Sequence, residues 1–329
     1  MADKIRVYFT VDTETSLGGA WRNALGPLPV SRTILGENGS RFYGVPLIMD
    51  ILEQHRFRAT FFVEVFCSYL RGAQEVRDVF DCIQKRGHDV QLHLHPVQRF
   101  YRDFVEGRGR REQDLMFQLS PEEQRDLIGE GVALFREFSG VAPRAFRAGC
   151  YGASEGTLRA LRENGIVIDS SYNLAYLDRT CGFRERPLNV PRVLEGVHEF
   201  PVTNFQSVRA GAYKNLEISA VSVREILETI RLSKESGCRD IVLVFHSFSF
   251  LKNRDVRFEN VRPDRIVMQR FRRLCAELTQ MHDQVEVCVF GDLDLARVDP
   301  GQRNVVPALG WFPQAIRKAV QGIDHIPWI

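Results

Sequence analysis

Four short stretches carry residue types that do chemistry. "FTVDTET" (9–15) places Asp12 and Glu14 at the end of an apolar run, and "QLHLHP" (91–96) places His93 and His95 at the end of another. "FRAGCYG" (146–152) carries Arg147, and "VLVFHS" (242–247) carries His246. On an extended chain residues i and i+2 point to one side, so an H-x-H pair can offer both imidazoles to one ion. A carboxylate from the first run would complete a His-His-carboxylate set, which suits zinc or another divalent cation and leaves a position open for water. Asp12 and Glu14 also share a side. Either both reach the ion, or one binds it while the other acts as a base, since two carboxylates so close do not both stay ionised without a cation between them. Arg147 is followed by Gly149 and Gly152, which let the backbone approach a ligand, and Asp12 is the carboxylate it would clamp with paired hydrogen bonds. His246 faces the ion from another strand end, where it suits a general acid.

Each of these residues has a plainer reading when taken alone. A buried histidine is commonly a hydrogen-bonded core residue, an aspartate a turn cap, and an arginine half of a rim salt bridge. Their common position argues for the chemical reading. Runs of strand length recur at 5–12, 58–65, 88–95, 144–149, 166–171, 240–247 and 284–290, with helical periodicity between them, which is the mark of βαβ units and a parallel sheet. The polar residues, with Asp169 and Ser170 of the fifth run, all fall at C-terminal ends of these strands, where parallel α/β folds build their sites. Helices are expected at 46–55, 75–87, from Pro121, from about Ser154, and over 222–236 and 263–282. Ser120, Pro121 and Glu123 form a start signal of the capping-box type. Segments 16–44, 96–119 and 172–220 do not fit the alternation and read as long site-building loops.

The chain has 329 residues, 44% of them hydrophobic and 26% charged, with a formal charge of +2. No strong basic field points to nucleic acid, and no apolar run reaches the length of a membrane span. The N-terminus enters a strand pattern without the features of a secretory signal, and the seven cysteines lack zinc-ribbon or redox spacing. A cytoplasmic setting is expected, with thiols serving as small core residues. One domain over 1–298 is expected, followed by a tail over 299–329 with a short helix that packs back on the body.

In this order the motifs resemble the polysaccharide deacetylase superfamily, the carbohydrate esterases related to nodulation-type chitooligosaccharide deacetylase. "TVDTE" stands where that family has T-F-D-D, "HLHPV" where it has H-(S/T)-x-x-H, "FRAGCY" where it has R-x-P-Y/F, and "IDSSYN" and "LVFHS" where its last two motifs fall. Thr13 replaces the usual ligand aspartate, Val97 the second histidine, and Gly149 the proline. The resemblance implies a deformed (β/α)7 barrel and a divalent metal, with zinc the first choice. It also implies Glu14, His93 and His95 as ligands, Asp12 as base oriented by Arg147, His246 as acid, and backbone N–H groups near Cys150 and Tyr151 as the oxyanion site. The expected reaction is N-deacetylation of an acetamido sugar or sugar-nucleotide intermediate of surface polysaccharide or glycoconjugate synthesis. A hydrolase of another C–N bond, such as a small amide or cyclic ureide, and a catalytically inactive glycan-binding relative are the alternatives. Loop aromatics Trp21, Tyr43, Phe100, Tyr101, Tyr172 and Tyr176 either stack on sugar or anchor their loops.

Overall fold

A computed structural model describes residues 4–23, 25–207, 212–299 and 301–310. The strands of the main sheet are β1 (Ile5–Thr13), β2 (Thr60–Glu64), β3 (Asp89–Leu94), β4 (Ala145–Ala148), β5 (Ile168–Asp169), β6 (Arg192–Leu194), β7 (Val197–Glu199), β8 (Asp240–His246) and β9 (Val285–Cys288). They form one sheet in the order β8-β1-β2-β3-β4-β5-β7-β6, and β9 pairs with the first half of β1. All pairings are parallel except that of β6 with β7. The seven strands expected from the sequence are present; the β6–β7 hairpin of this sheet and three short two-stranded ribbons are additional. This is the parallel sheet expected from the alternation, curled into the deformed α/β barrel that the family resemblance implies. The far edge of β8 is covered by irregular chain, with Thr203 N–H donating to Val242 O (3.1 Å) and Ile218 N–H to Val244 O (3.3 Å).

The inner strands are near-continuous apolar runs because a parallel sheet wrapped by helices is buried on both faces. The longer helices are α1 (Val45–Glu53), α2 (Ala73–Lys85), α3 (Pro96–Val105), α4 (Pro121–Ser139), α5 (Glu155–Glu163), α6 (Val223–Glu235) and α7 (Arg265–Gln280). At α4 the Ser120 side chain accepts from the Glu123 N–H and the Glu123 carboxylate accepts from the Ser120 N–H, which satisfies two otherwise orphaned donors. Helix α3 lies inside a segment expected to be loop. Its start is marked by Pro96 at the first position, where a missing N–H costs nothing, and Phe100 and Tyr101 bury its inner face.

The barrel is filled from below by aromatic rings. Tyr8 stacks on Phe290 at 4.9 Å, Phe200 meets both edge-on, and Phe62 packs against Phe290. Arg147 rests on this plug, its guanidinium 4.4 Å from the centre of the Phe62 ring. Above the plug the strand ends open. At the C-terminus, Gln302 donates to Asp240 (2.6 Å) and Leu309 N–H to Gln206 O (3.3 Å), so residues 301–310 lie against the body. The short helix expected after Gly310 lies outside the described residues.

Candidate metal centre

Strand register brings the candidate residues together. Asp12 of β1 lies beside His246 of β8 on one side and Phe62 of β2 on the other, while Glu64 of β2 pairs with His93 and His93 with Arg147 of β4. Glu14 lies one residue beyond β1 and turns its carboxylate onto the histidines. Its Oε2 is 3.1 Å from His93 Nε2 and 2.5 Å from His95 Nε2. His246 Nε2 stands 3.9 Å from the other oxygen, Glu14 Oε1.

The second nitrogen of each ligand imidazole reveals what the first is for. His93 Nδ1 is 2.8 Å from the Arg147 carbonyl, and a carbonyl only accepts, so Nδ1 carries a proton and donates it. That fixes Nε2 as the nitrogen turned toward Glu14. His95 Nδ1 is 2.7 Å from Asp114 Oδ2, and Asp114 Oδ1 accepts from the Val97 N–H at 3.2 Å. Two imidazoles with anchored Nδ1 atoms, aiming Nε2 at one carboxylate, form the outer-sphere pattern of metal-binding histidines. The donor set Glu14–His93–His95 therefore fits a divalent cation, and its candidate ligand atoms all lie within 4.8 Å of one another. Burial works against the charge on His95, but Asp114 and Glu14 raise it well above the ordinary histidine value. Burial also opposes ionisation of Glu14, yet His95 and His93 hold it well below the usual carboxylate range.

A second grouping, His95, Asp114 and Cys150, is also compact. It reads better as a hydrogen-bond cluster. His95 Nδ1 is committed to Asp114, and although Cys150 is an exposed residue, desolvation of its thiol inside the turn pushes it up to about 11, so it stays protonated 3.6 Å from Asp114 Oδ2.

Arg147 departs from expectation in two ways. It is fully buried at the floor of the cleft instead of at its rim, and it does not clamp Asp12 with two bonds. Nη1 donates to Asp12 Oδ1 and to the Thr10 hydroxyl, both at 2.8 Å, while Nε and Nη2 donate to the Ser170 carbonyl and hydroxyl, also at 2.8 Å. Asp12 is thus held from below by one N–H and is 4% exposed. The placement separates the two carboxylates: Glu14 joins the histidines and Asp12 joins Arg147. Asp169 and Ser170, expected on the rim, are fully buried beneath it. Asp169 accepts from the Ser171 hydroxyl (2.7 Å) and lies beside Glu199 in register.

After β4 the chain makes a single turn, Gly149–Tyr151, with Cys150 at φ 54° and Tyr151 at φ 60°. Left-handed backbone at two successive non-glycine residues costs on the order of 1–3 kcal/mol each and is sustained where surroundings impose it, commonly at functional sites. Gly149 is required here: a Cβ on it would collide with the His95 imidazole. The two departures from the family pattern are thereby coupled. A second histidine at i+2 swings its ring over residue 149, and only glycine leaves room for it.

Of the loop aromatics, Tyr172 is fully buried, Phe100 lies under Arg111, and Tyr43 packs on the core, so these anchor. Trp21 meets Tyr101 edge-on at 4.8 Å. Tyr176 alone of the six lies against a site residue, its ring 5.0 Å from that of Tyr151. Asp114 and Glu64 were not singled out from the sequence. Glu64 is a fully buried carboxylate accepting from Phe66 and Cys67 N–H groups, both at 2.8 Å. Asp114 sits in an arginine-rich polar stretch 19 residues beyond His95, with no local signal that sets it apart.

No protein-family model matches the sequence, and no curated protein aligns with it significantly. Solved structures do match. A protein described as a "putative polysaccharide deacetylase" from Mycobacterium smegmatis superposes with a TM-score of 0.54 at 18% identity, covering 94% of this chain and 97% of its own. The fold is that of the polysaccharide deacetylases. The 4-alpha-glucanotransferase of Thermococcus litoralis also superposes at 0.54, with 12% identity over 98% of this chain and 46% of its own length, so the same fold forms part of a larger protein there. In this polysaccharide deacetylase fold the sequence motifs read above fall where the strands end. Among the described residues no helix is long and apolar enough to cross a membrane.

Proposed function

We propose that the chain is a metal-dependent N-deacetylase acting on an acetamido sugar. One observation carries the reading. Two histidines with anchored Nδ1 atoms turn Nε2 onto a single carboxylate, directly beside a second carboxylate held separately by a buried arginine. A cation held by Glu14, His93 and His95 would supply Lewis-acid polarisation and lower the pKa of water.

The chain's own groups supply the rest. Asp12 takes the proton from the attacking water, and Arg147 keeps its carboxylate oriented from below. The N–H groups at Cys150 and Tyr151, fixed by the strained turn, face the developing oxyanion without reorganising. His246 has its backbone N–H tied to the Ser249 hydroxyl (2.9 Å) and its ring stacked on Phe248, and gives its proton to the departing amine.

The test is acetate release from acetylated amino-sugar oligomers by zinc- or cobalt-loaded protein. Asp12→Asn and His246→Ala are each expected to lower kcat by about 10²–10⁴-fold while keeping metal content. Wild-type turnover by either variant contradicts its assigned role, and ammonia release in place of acetate contradicts the deacetylase reading.

A further inference from the structure

Three segments leave strand ends beside the metal centre: 16–44 after β1, 96–113 after β3 and 248–263 after β8. They lean on one another. Arg257 Nη1 donates to the Gly26 carbonyl (2.6 Å) and Arg32 Nη1 to the Arg257 carbonyl (2.8 Å), while Trp21 meets Phe104 of α3 at 5.1 Å and lies under Arg110. Together they form one face flanking the centre, since Glu14, His95 and His246 lie within two residues of their starts. Two features set this face apart. Nine large apolar side chains are exposed among the described residues, and five of them, Leu25, Phe42, Phe104, Val105 and Val256, stand here. Leu25 and Val256 are the most open, at 65% and 66%, and their chain neighbours Gly26 and Arg257 share the hydrogen bond just described. The second feature is charge. The three segments carry 12 basic and 6 acidic residues, a formal +6, whereas the rest of the chain carries 32 and 36, a formal −4. The +2 of the whole chain conceals this division. Arg99, Arg102 and Arg108 pair with Asp103 and Glu106. Arg22, Arg41 and Arg254, by contrast, are exposed and make no ion pair among the described residues. Each stands within three residues of an exposed apolar side chain, Leu25, Phe42 and Val256 respectively.

We propose that this face docks on an anionic membrane surface, with Leu25, Phe42 and Val256 entering the headgroup boundary and Arg22, Arg41 and Arg254 meeting lipid phosphates. Apolar side chains gathered on one exposed face mark a surface that something covers. Against an apolar protein partner, the arginine beside each of them would lose its hydration without a counter-charge. At a bilayer it stays among the phosphates while its apolar neighbour enters the layer beneath. Acidic lipid adds about five-fold in affinity for each basic residue near the surface, an attraction that salt screens. Docking of this kind needs no spanning helix, and among the described residues none is long and apolar enough to be one. Because the three segments start at the metal centre, docking brings that centre to the lipid surface. The proposal does not depend on which C–N bond is cleaved there.

The test is co-sedimentation of the full chain with vesicles of phosphatidylcholine and with vesicles of phosphatidylcholine and phosphatidylglycerol in equal parts. Binding to the mixed vesicles is expected to be about ten-fold or more tighter than to phosphatidylcholine, and to weaken as salt is raised. Leu25→Ser combined with Val256→Ser should weaken it about ten-fold or more, and so should Arg22→Glu combined with Arg254→Glu. Val141 and Val167, exposed just before β4 and β5 at the opposite end of the barrel, supply the control: Val141→Ser combined with Val167→Ser should bind as wild type. All of these side chains are exposed or lie at the surface, and denaturant unfolding checks that each variant folds. Equal affinity for the two vesicles, or an equal loss of binding in the control, overturns the proposal. Failure to bind either vesicle overturns it as well; if the protein then self-associates through Leu25 and Val256 in sedimentation equilibrium, the face is an interface between two copies of the chain.

Discussion

Two clusters of buried carboxyl groups sit at the strand ends of this barrel, and they solve the same problem in opposite ways. At the first, Glu14 faces His93 and His95 and is held well below the usual carboxylate range. At the second, Asp169 and Glu199 lie side by side in register, both fully buried. Burial first, then the neighbouring Asp169, raises Glu199 well above the ordinary range, so the pair shares a proton. A carboxyl group with no cation nearby keeps its proton. One surrounded by nitrogen donors stays charged and leaves a place for a cation. Burial of acidic residues therefore does not mark the site; the nitrogen partners do.

The comparison breaks first at Glu14. Glu14→Gln keeps the shape, removes the charge and is expected to abolish stoichiometric zinc or cobalt binding and turnover together, read by metal analysis beside an acetate assay. Asp114→Asn tests the layer behind it. Loss of the charge that orients His95 should weaken metal affinity roughly 10–100-fold, the usual cost of removing an outer partner, and competition with a chelator measures it. The smallest effect is expected at the second cluster. The folded value of Glu199 lies above its ordinary 4.5, so retaining its proton costs nothing below that pH and costs progressively more as pH rises above it. Glu199→Gln keeps a donor toward Asp169 and an acceptor for the Tyr172 N–H, now received by Glu199 Oε1 at 3.0 Å. The variant should match wild type near pH 4 and become the more stable of the two as pH rises toward 8, which denaturant unfolding across that range measures. A variant that is equally destabilised at every pH would mean that the cluster is no proton-sharing pair.

Much of this was legible in the sequence, for definite reasons. The barrel strands are buried on both faces, so they appear as unbroken apolar runs, and Asp12, His93 and His246 stand out because they interrupt such runs at one end. Pairing by side was legible for His93 and His95, since it depends only on the two-residue repeat of an extended chain. The depth of Arg147 was not, because a buried arginine over an aromatic plug looks the same in sequence as one on a rim. Nor was Asp114, which reaches His95 through a loop path that no periodicity encodes. Helix α3 was hidden by its basic outer face, although Pro96 marked its start. Gly149 was visible as a departure from the family pattern, but its reason, the His95 ring lying over it, is a contact between two strand ends.

The central claim is that Glu14, His93 and His95 hold one divalent cation. A crystal structure of zinc-soaked protein, with anomalous data at the zinc edge, tests it directly. The account predicts a single ion bonded to a Glu14 oxygen and to Nε2 of both histidines, with nitrogen distances of about 2.0–2.1 Å, and with His95 Nδ1 still on Asp114. An ion bound instead between His95 Nδ1, Asp114 and Cys150, or no ion at stoichiometric zinc, would contradict it.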